Sequence, residues 1–152
     1  MDFFNALIHN TVFMSAVTGW FAAQVIKTVI YTCITKSFDP ERLVGSGGMP
    51  SSHSAFVCAC ASAMGAMYGW TSPTFTLAAV VAIVVMYDAA NVRKAAGEQA
   101  KILNYIMEHW TEMKPALFGK ELKELLGHTP FQVLMGGLLG IGVGLLGAWW
   151  FA

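Results

Sequence analysis

Four apolar runs govern what this chain can fold into, at about 12–34, 54–70, 75–92 and 130–152. Each is close to the roughly 17–25 residues that a helix needs to cross a bilayer. Inside lipid every backbone N–H and C=O must find its partner within the segment, so runs of this kind fold as helices. The pattern predicts an all-α integral membrane protein, a bundle of about four transmembrane helices plus interfacial amphipathic helices, in a single membrane domain over 1–152. Composition agrees: 56% of the residues are hydrophobic and 12% charged, about half the charge of an ordinary soluble domain. Nine basic residues balance nine acidic ones, so nothing points to a nucleic-acid partner.

Four crossings place both long loops, 35–53 and 93–129, on one side and both ends of the chain on the other. Eight of the nine Lys and Arg residues fall on the loop side: Lys36, Arg42, Arg93, Lys94, Lys101, Lys114, Lys120 and Lys123. Positive charge marks the cytoplasmic face, so a bacterial inner-membrane protein with its loops in the cytoplasm is expected. The second loop has structure of its own. Ile102, Ile106, Trp110 and Met113 recur at helical spacing, which predicts an amphipathic helix over about 95–113 lying on the membrane or the bundle. Lys114-Pro115 ends it, and a short helix over about 119–126 follows. Residues 1–10 read as a short interfacial helix. Gly136, Gly137, Gly140, Gly142, Gly144 and Gly147 give the fourth run faces suited to close helix packing and to a homodimer. Cys33, Cys58 and Cys60 lie in or beside apolar runs without metal-type spacing, and packing is their expected role. The amino end has no basic region or clear cleavage site of the kind that marks a removable signal peptide.

The chemistry concentrates where apolar runs begin. Gly47-Gly48-Met49-Pro50-Ser51-Ser52-His53 precedes the second run. Glycines let a backbone come close to a ligand, Pro-Ser-Ser opens a helix, and the first helical turn offers amide N–H groups to an anion. A histidine there can move a proton beside a bound oxyanion. The fourth run opens in the same way: Gly127 ends the short helix, Thr129 suits an N-cap and Pro130 the first helical position. His53 and His128 therefore start membrane helices on the same side, and two converging helix starts would form a cup for phosphate. Arg93, at the end of the third run, can bind phosphate oxygens in bidentate fashion. Asp88 can orient a histidine or pair with Arg93. Lys27 lies about 14 Å along the helix axis from Lys36, a depth at which an ammonium group must face a polar cavity or snorkel. Phosphate contact is its candidate role, with Gln24 one turn away. Glu124, one turn before His128, is the better functional candidate on its short helix.

At these residues the chain resembles the divergent PAP2 family, small membrane proteins related to acid phosphatases and vanadium-dependent haloperoxidases. The matching stretches are GGMPSSHSA (47–55), YDAANVRKAAGEQA (87–100) and LKELLGHTPFQVLMGGLLG (122–140). Ordinary PAP2 enzymes carry a Lys/Arg motif, then PSGH, then SR-x5-H-x3-D. The resemblance makes His53 the general acid that protonates the leaving group and His128 the nucleophile that forms a phosphohistidine. Ser52 stands where PSGH has glycine, Leu122 where the SR motif has arginine, and Gln132 where H-x3-D has aspartate. A glutamine can hydrogen-bond an imidazole but cannot offset its positive charge as a carboxylate does, which leaves that task to Asp88 or Glu124.

The function expected on this basis is a membrane lipid-phosphate phosphatase working through a phosphohistidine. Its substrate would be a phosphate monoester or pyrophosphate of the phosphatidylglycerol phosphate or polyprenyl phosphate class. His128, His53 and Asp88 would be catalytic. Arg93, Lys27, Gly48, Ser51, Ser52, Glu124 and Gln132 would bind substrate. The scheme calls for no metal and no cofactor; its partners are the lipid phosphate and the bilayer. The alternative is a non-catalytic lipid-phosphate-binding scaffold, which Gln132 favours.

Overall fold

The computed structural model describes residues 2–38, 48–109 and 127–151; the side chains of residues 93, 94, 108 and 109 lie outside what is described. The described residues form helices joined by turns. α1 spans Phe3–Ile8, α2 Thr11–Thr35, α3 Ser52–Tyr68, α4 Pro73–Tyr87, α5 Arg93–His109 and α6 Pro130–Trp150, and a π-helical turn over Asp88–Val92 joins α4 to α5. A polar side chain caps the start of each long apolar helix. Asn10, Ser51, Ser72 and Thr129 accept hydrogen bonds from the amides of Phe13, Ser54, Phe75 and Gln132. Such caps satisfy donors that have no partner within the helix.

Helix directions alternate. α2 runs toward the end of the bundle that holds Lys27 and Gly48, α3 runs away from it, α4 returns, and α6 leaves again. Its last turn meets the start of α2, where the Thr11 hydroxyl donates to the Phe151 carbonyl at 2.8 Å. The bases of both long loops therefore share one end. Among the described residues three helical stretches are long and apolar enough to cross a membrane: Thr11–Thr35, Pro73–Met107 and Pro130–Trp150. The remaining run, α3, has 17 residues and packs centrally against α2, α4 and α6.

The expected amphipathic helix after the third run is present as α5, over Arg93–His109. What was not expected is its attachment: no loop separates it from α4, and the helix continues through the π turn into α5. Charge at Arg93-Lys94 ends the apolar stretch but does not break a helix, and Ala89-Ala90-Asn91-Val92 contains no glycine or proline to stop it. The far end of the expected amphipathic helix, and the short helix at 119–126, lie outside the described residues.

The interior is built from small and polar side chains. Ala16, Ala23, Ala55, Ala59 and Ala63 are buried, with Ser15, Ser51, Ser54 and Ser62 among them. Large apolar residues face outward instead; Leu77, Ile83, Val84, Leu138 and Leu146 are all more than half exposed. In water this would leave a continuous apolar surface far beyond what a soluble protein tolerates. In lipid it is the arrangement to expect, because association there rests on close packing and not on hiding leucine from solvent.

Close packing is most extreme between α3 and α6, which run parallel. A Cβ added at Gly136 would collide with the Ser51 carbonyl, one at Gly140 with the Ala55 carbonyl, and one at Gly144 with the Ala59 carbonyl and the Ser62 hydroxyl. Gly142, on the opposite face, meets nothing within 4 Å. Gly140→Ala should therefore destabilise the bundle by about 1–3 kcal/mol through overpacking. Gly142→Ala should be neutral or stabilise by up to about 1 kcal/mol through helix propensity. The midpoints of SDS unfolding titrations followed by circular dichroism measure both.

Candidate active site

The glycine seam brings the starts of α3 and α6 into contact. The Ser51 amide donates to the Gln132 carbonyl at 3.0 Å, which locks the cap of one helix to the first turn of the other. His53 lies in the first turn of α3 and His128 two residues before α6, and their ring centroids are 6.1 Å apart at an interplanar angle of 63°. His128 is 3% exposed, whereas His53 is half-buried. Two imidazoles at this separation can touch a single phosphoryl group.

Gln132 determines which form His128 takes. Its Oε1 accepts from the Thr129 amide at 3.1 Å and lies 3.3 Å from His128 Nδ1. A backbone N–H can only donate, so the atom it meets is an oxygen, and the Nδ1 facing that oxygen must carry the ring proton. In a neutral ring of this form the proton sits on Nδ1 and not on Nε2. Thr129 returns the favour by accepting from the Gln132 amide at 3.3 Å, which completes a capping box. The backbone of His128 is held from a third direction: its amide donates to the carbonyl of Ala89, inside the π turn, at 3.0 Å. π turns are uncommon and recur at functional sites.

Lys27 reaches the same end of the bundle although it is 3% exposed. Its stem passes beneath Gly48. A Cβ on Gly48 would lie 3.0 Å from Lys27 Cγ and Cδ, and the Gly48 φ of 83° suits glycine as well. Gln24, one turn before it, and Thr28, the next residue, are also buried. Gln24 Oε1 has no hydrogen-bond partner among the described residues.

The other expected site residues are placed as follows. Ser51 is fully buried, with its amide on Gln132 and its hydroxyl receiving both the Ser54 amide and the Ser54 hydroxyl, the latter at 3.0 Å. Its amide and its hydroxyl oxygen are thus engaged in the helix junction, and the cap bond goes to the Ser54 amide, not to those of Ser52 and His53. Ser52 is buried at the first helical position. Asp88 opens the π turn, half-buried, one residue before the Ala89 carbonyl that holds His128. Arg93 begins α5 directly after that turn; its side chain, like the whole of Glu124, lies outside the described residues. Expectation allowed Gln132 to hydrogen-bond the imidazole and left the offset of its charge to Asp88 or Glu124; the partner seen at His128 Nδ1 is Gln132. The signal was present in Thr129-x-x-Gln132, a capping-box spacing with a histidine just ahead of it.

A family model described as "Divergent PAP2 family" matches residues 8–143. The chain belongs to the divergent PAP2 family. This divergent PAP2 protein is similar to the uncharacterised membrane protein YuiD of Bacillus subtilis (strain 168), with 38% identity over 155 residues, covering 95% of this chain and 98% of YuiD. No solved structure matches it.

Substitutions can separate the cap from the orienter in this divergent PAP2 site. Thr129→Ala should cost about 1 kcal/mol of stability and leave the Nδ1–H form of His128 in place. Gln132→Leu should abolish that preference. The ¹⁵N chemical shifts of the His128 ring report the tautomer in both.

Proposed function

We propose that this protein is an integral membrane phosphatase that hydrolyses a lipid phosphate monoester or pyrophosphate through a phosphohistidine. One observation supports the reading above all: His128, with its Nδ1 against Gln132 Oε1, stands across from His53 at the joined starts of two helices. Phosphoryl oxygens would be received by Lys27, Arg93 and the amides of Ser52 and His53. Helix starts are suited to anions.

His128 Nε2 would attack phosphorus while the bond from phosphorus to the lipid oxygen breaks. His53, entering the step protonated, would give its proton to that oxygen and release the alcohol. The same ring, now neutral, would take a proton from water as the water oxygen attacks phosphorus. The N–P bond would then break, freeing inorganic phosphate and restoring His128. General acid–base help of this kind contributes about 10²–10⁴ in rate. Gln132 secures ring orientation but adds no negative charge, so the cationic ring formed on attack would be balanced by the dianionic phosphoryl group itself and by Asp88 nearby.

Four crossings, with α3 as the fourth, would place both loops and the cup on the side rich in Lys and Arg, the cytoplasmic face. That orientation favours a lipid phosphate made on the inner leaflet, such as phosphatidylglycerol phosphate, over a polyprenyl pyrophosphate recycled on the outer face. The neutral Gln132 favours a second reading, a lipid-phosphate-binding scaffold without turnover.

Purified protein in nanodiscs should release phosphate from phosphatidylglycerol phosphate. His128→Ala should lower the rate by at least about a thousandfold, and His53→Asn by about 10²–10⁴. An acid-labile phosphoryl label should map to His128. Equal release by wild type and His128→Ala would eliminate the phosphohistidine route, and no release by either would leave the scaffold. Separately, a cysteine placed at Ser37 in a background lacking the three native cysteines should react with membrane-impermeant maleimide only in inverted vesicles. Labelling in right-side-out cells would reverse the proposed orientation.

A further inference from the structure

Below the histidine cup, α3 and α4 do not close against each other along their outer side. They leave an apolar groove of about 300 Å³. Apart from Thr74, every residue lining it is apolar, and it opens outward, where Leu77 is 68% exposed.

Helical register ties this groove to the cup. On α3 it is lined by Phe56, Val57, Cys60 and Met64. These residues follow His53 at spacings of three, four, seven and eleven, so they share its face of the helix. Phe56 and Val57 lie one turn, about 5 Å, beneath His53 along the axis. On α4 the lining includes Leu77 and Val81; continuing by four and then three residues reaches Val85 and Asp88 on the same face. The two walls thus lead upward to a candidate acid and a candidate carboxylate. Downward the groove ends where the Gly69–Ser72 turn joins the helices, with the Trp70 and Phe75 rings packed edge to face at 5.1 Å.

We infer that this groove holds one hydrocarbon chain of the lipid whose phosphate enters the cup. The inference rests on the phosphate-binding part of the function proposed above and extends it to the tail. Size suits a single chain: a cavity of about 150 Å³ accepts a benzene ring, so this one has room for about a dozen carbons. Direction suits it as well. A chain lying in the groove runs along the helix axes with its polar end under His53. A lipid phosphate in the surrounding monolayer already has that orientation and can enter sideways between α3 and α4. The groove discriminates by chain, whereas the cup discriminates by head group.

The test uses the full-length His128→Ala protein in nanodiscs and an alkyl phosphate with a mid-chain diazirine. Photolysis should label residues of the α3–α4 groove, and unlabelled hexadecyl phosphate should compete while butyl phosphate should not. An uncharged diazirine lipid labelling the groove equally well would overturn the inference, because ordinary bilayer chains would then be its occupant. Disulfide cross-linking of Cys60 to Cys60 of a second copy, with loss of photolabel, would overturn it in favour of a dimer face. In the otherwise native protein, Cys60→Trp fills the groove and should lower the ratio of hexadecyl to butyl phosphate hydrolysis about tenfold, the scale on which an apolar pocket reads one methylene. Leu138→Trp, on the lipid-facing side of α6, should leave that ratio unchanged. Groove labelling without any hydrolysis would keep the tail site and remove the phosphatase. Hydrolysis with a ratio indifferent to Cys60→Trp, and label elsewhere, would do the reverse.

Discussion

The backbones of α3 and α6 touch, and they can do so because Gly136, Gly140 and Gly144 carry no side chain. In lipid no hydrophobic force draws helices together, so stability comes from how near two surfaces can approach. Here the approach is near enough for the Ser51 amide to reach the Gln132 carbonyl. That one bond fixes the first turn of α3 against the first turn of α6. His53 belongs to the former and His128 to the approach of the latter, so the distance between the two imidazoles follows from the spacing of the two backbones. A methyl group anywhere in the seam would widen the cup along with the helices.

Much of this could be read from the chain. Four apolar runs gave helices whose starts fall within two residues of expectation, because Ser51, Ser72-Pro73 and Thr129-Pro130 are strong local start signals. The glycines of the fourth run announced close packing, although composition alone could not say that α3 was the partner. His53 and His128 were singled out by their matching positions, and they do meet. Other features depended on tertiary geometry. Nothing local marks Asp88–Val92 as a π turn, nor that this turn joins the third run to the amphipathic helix without a break. Ser51 read as part of a helix start whose backbone N–H groups could face an anion; that its own amide donates to the Gln132 carbonyl needed coordinates. Gln132 was recognised as a departure from an aspartate, but its double use by Thr129 and His128 needed coordinates.

Gln132 and the π turn act on the same histidine from different sides. The glutamine fixes the ring and its proton. Ala89 fixes the backbone amide. Between them His128 has little freedom to turn, so in the proposed reaction it would act by positioning more than as a strong base. A neutral orienter also means that ring protonation is not assisted by a permanent negative charge at Nδ1. In the proposed reaction the burden of stabilising the attacked phosphoryl group would shift to cations and amides, among them Lys27, whose stem passes under Gly48.

The parallel course of α3 and α6 has an electrostatic side. Antiparallel neighbours cancel one another's dipoles. Parallel neighbours at backbone contact set like partial charges side by side, each equivalent to about half an elementary charge at a helix end. The seam that stabilises the bundle by packing therefore also holds a mutual repulsion at its mouth. A negatively charged guest relieves that repulsion for both helices at once. In the proposed function, chain direction would thus favour an anion at the opening ahead of any charged side chain.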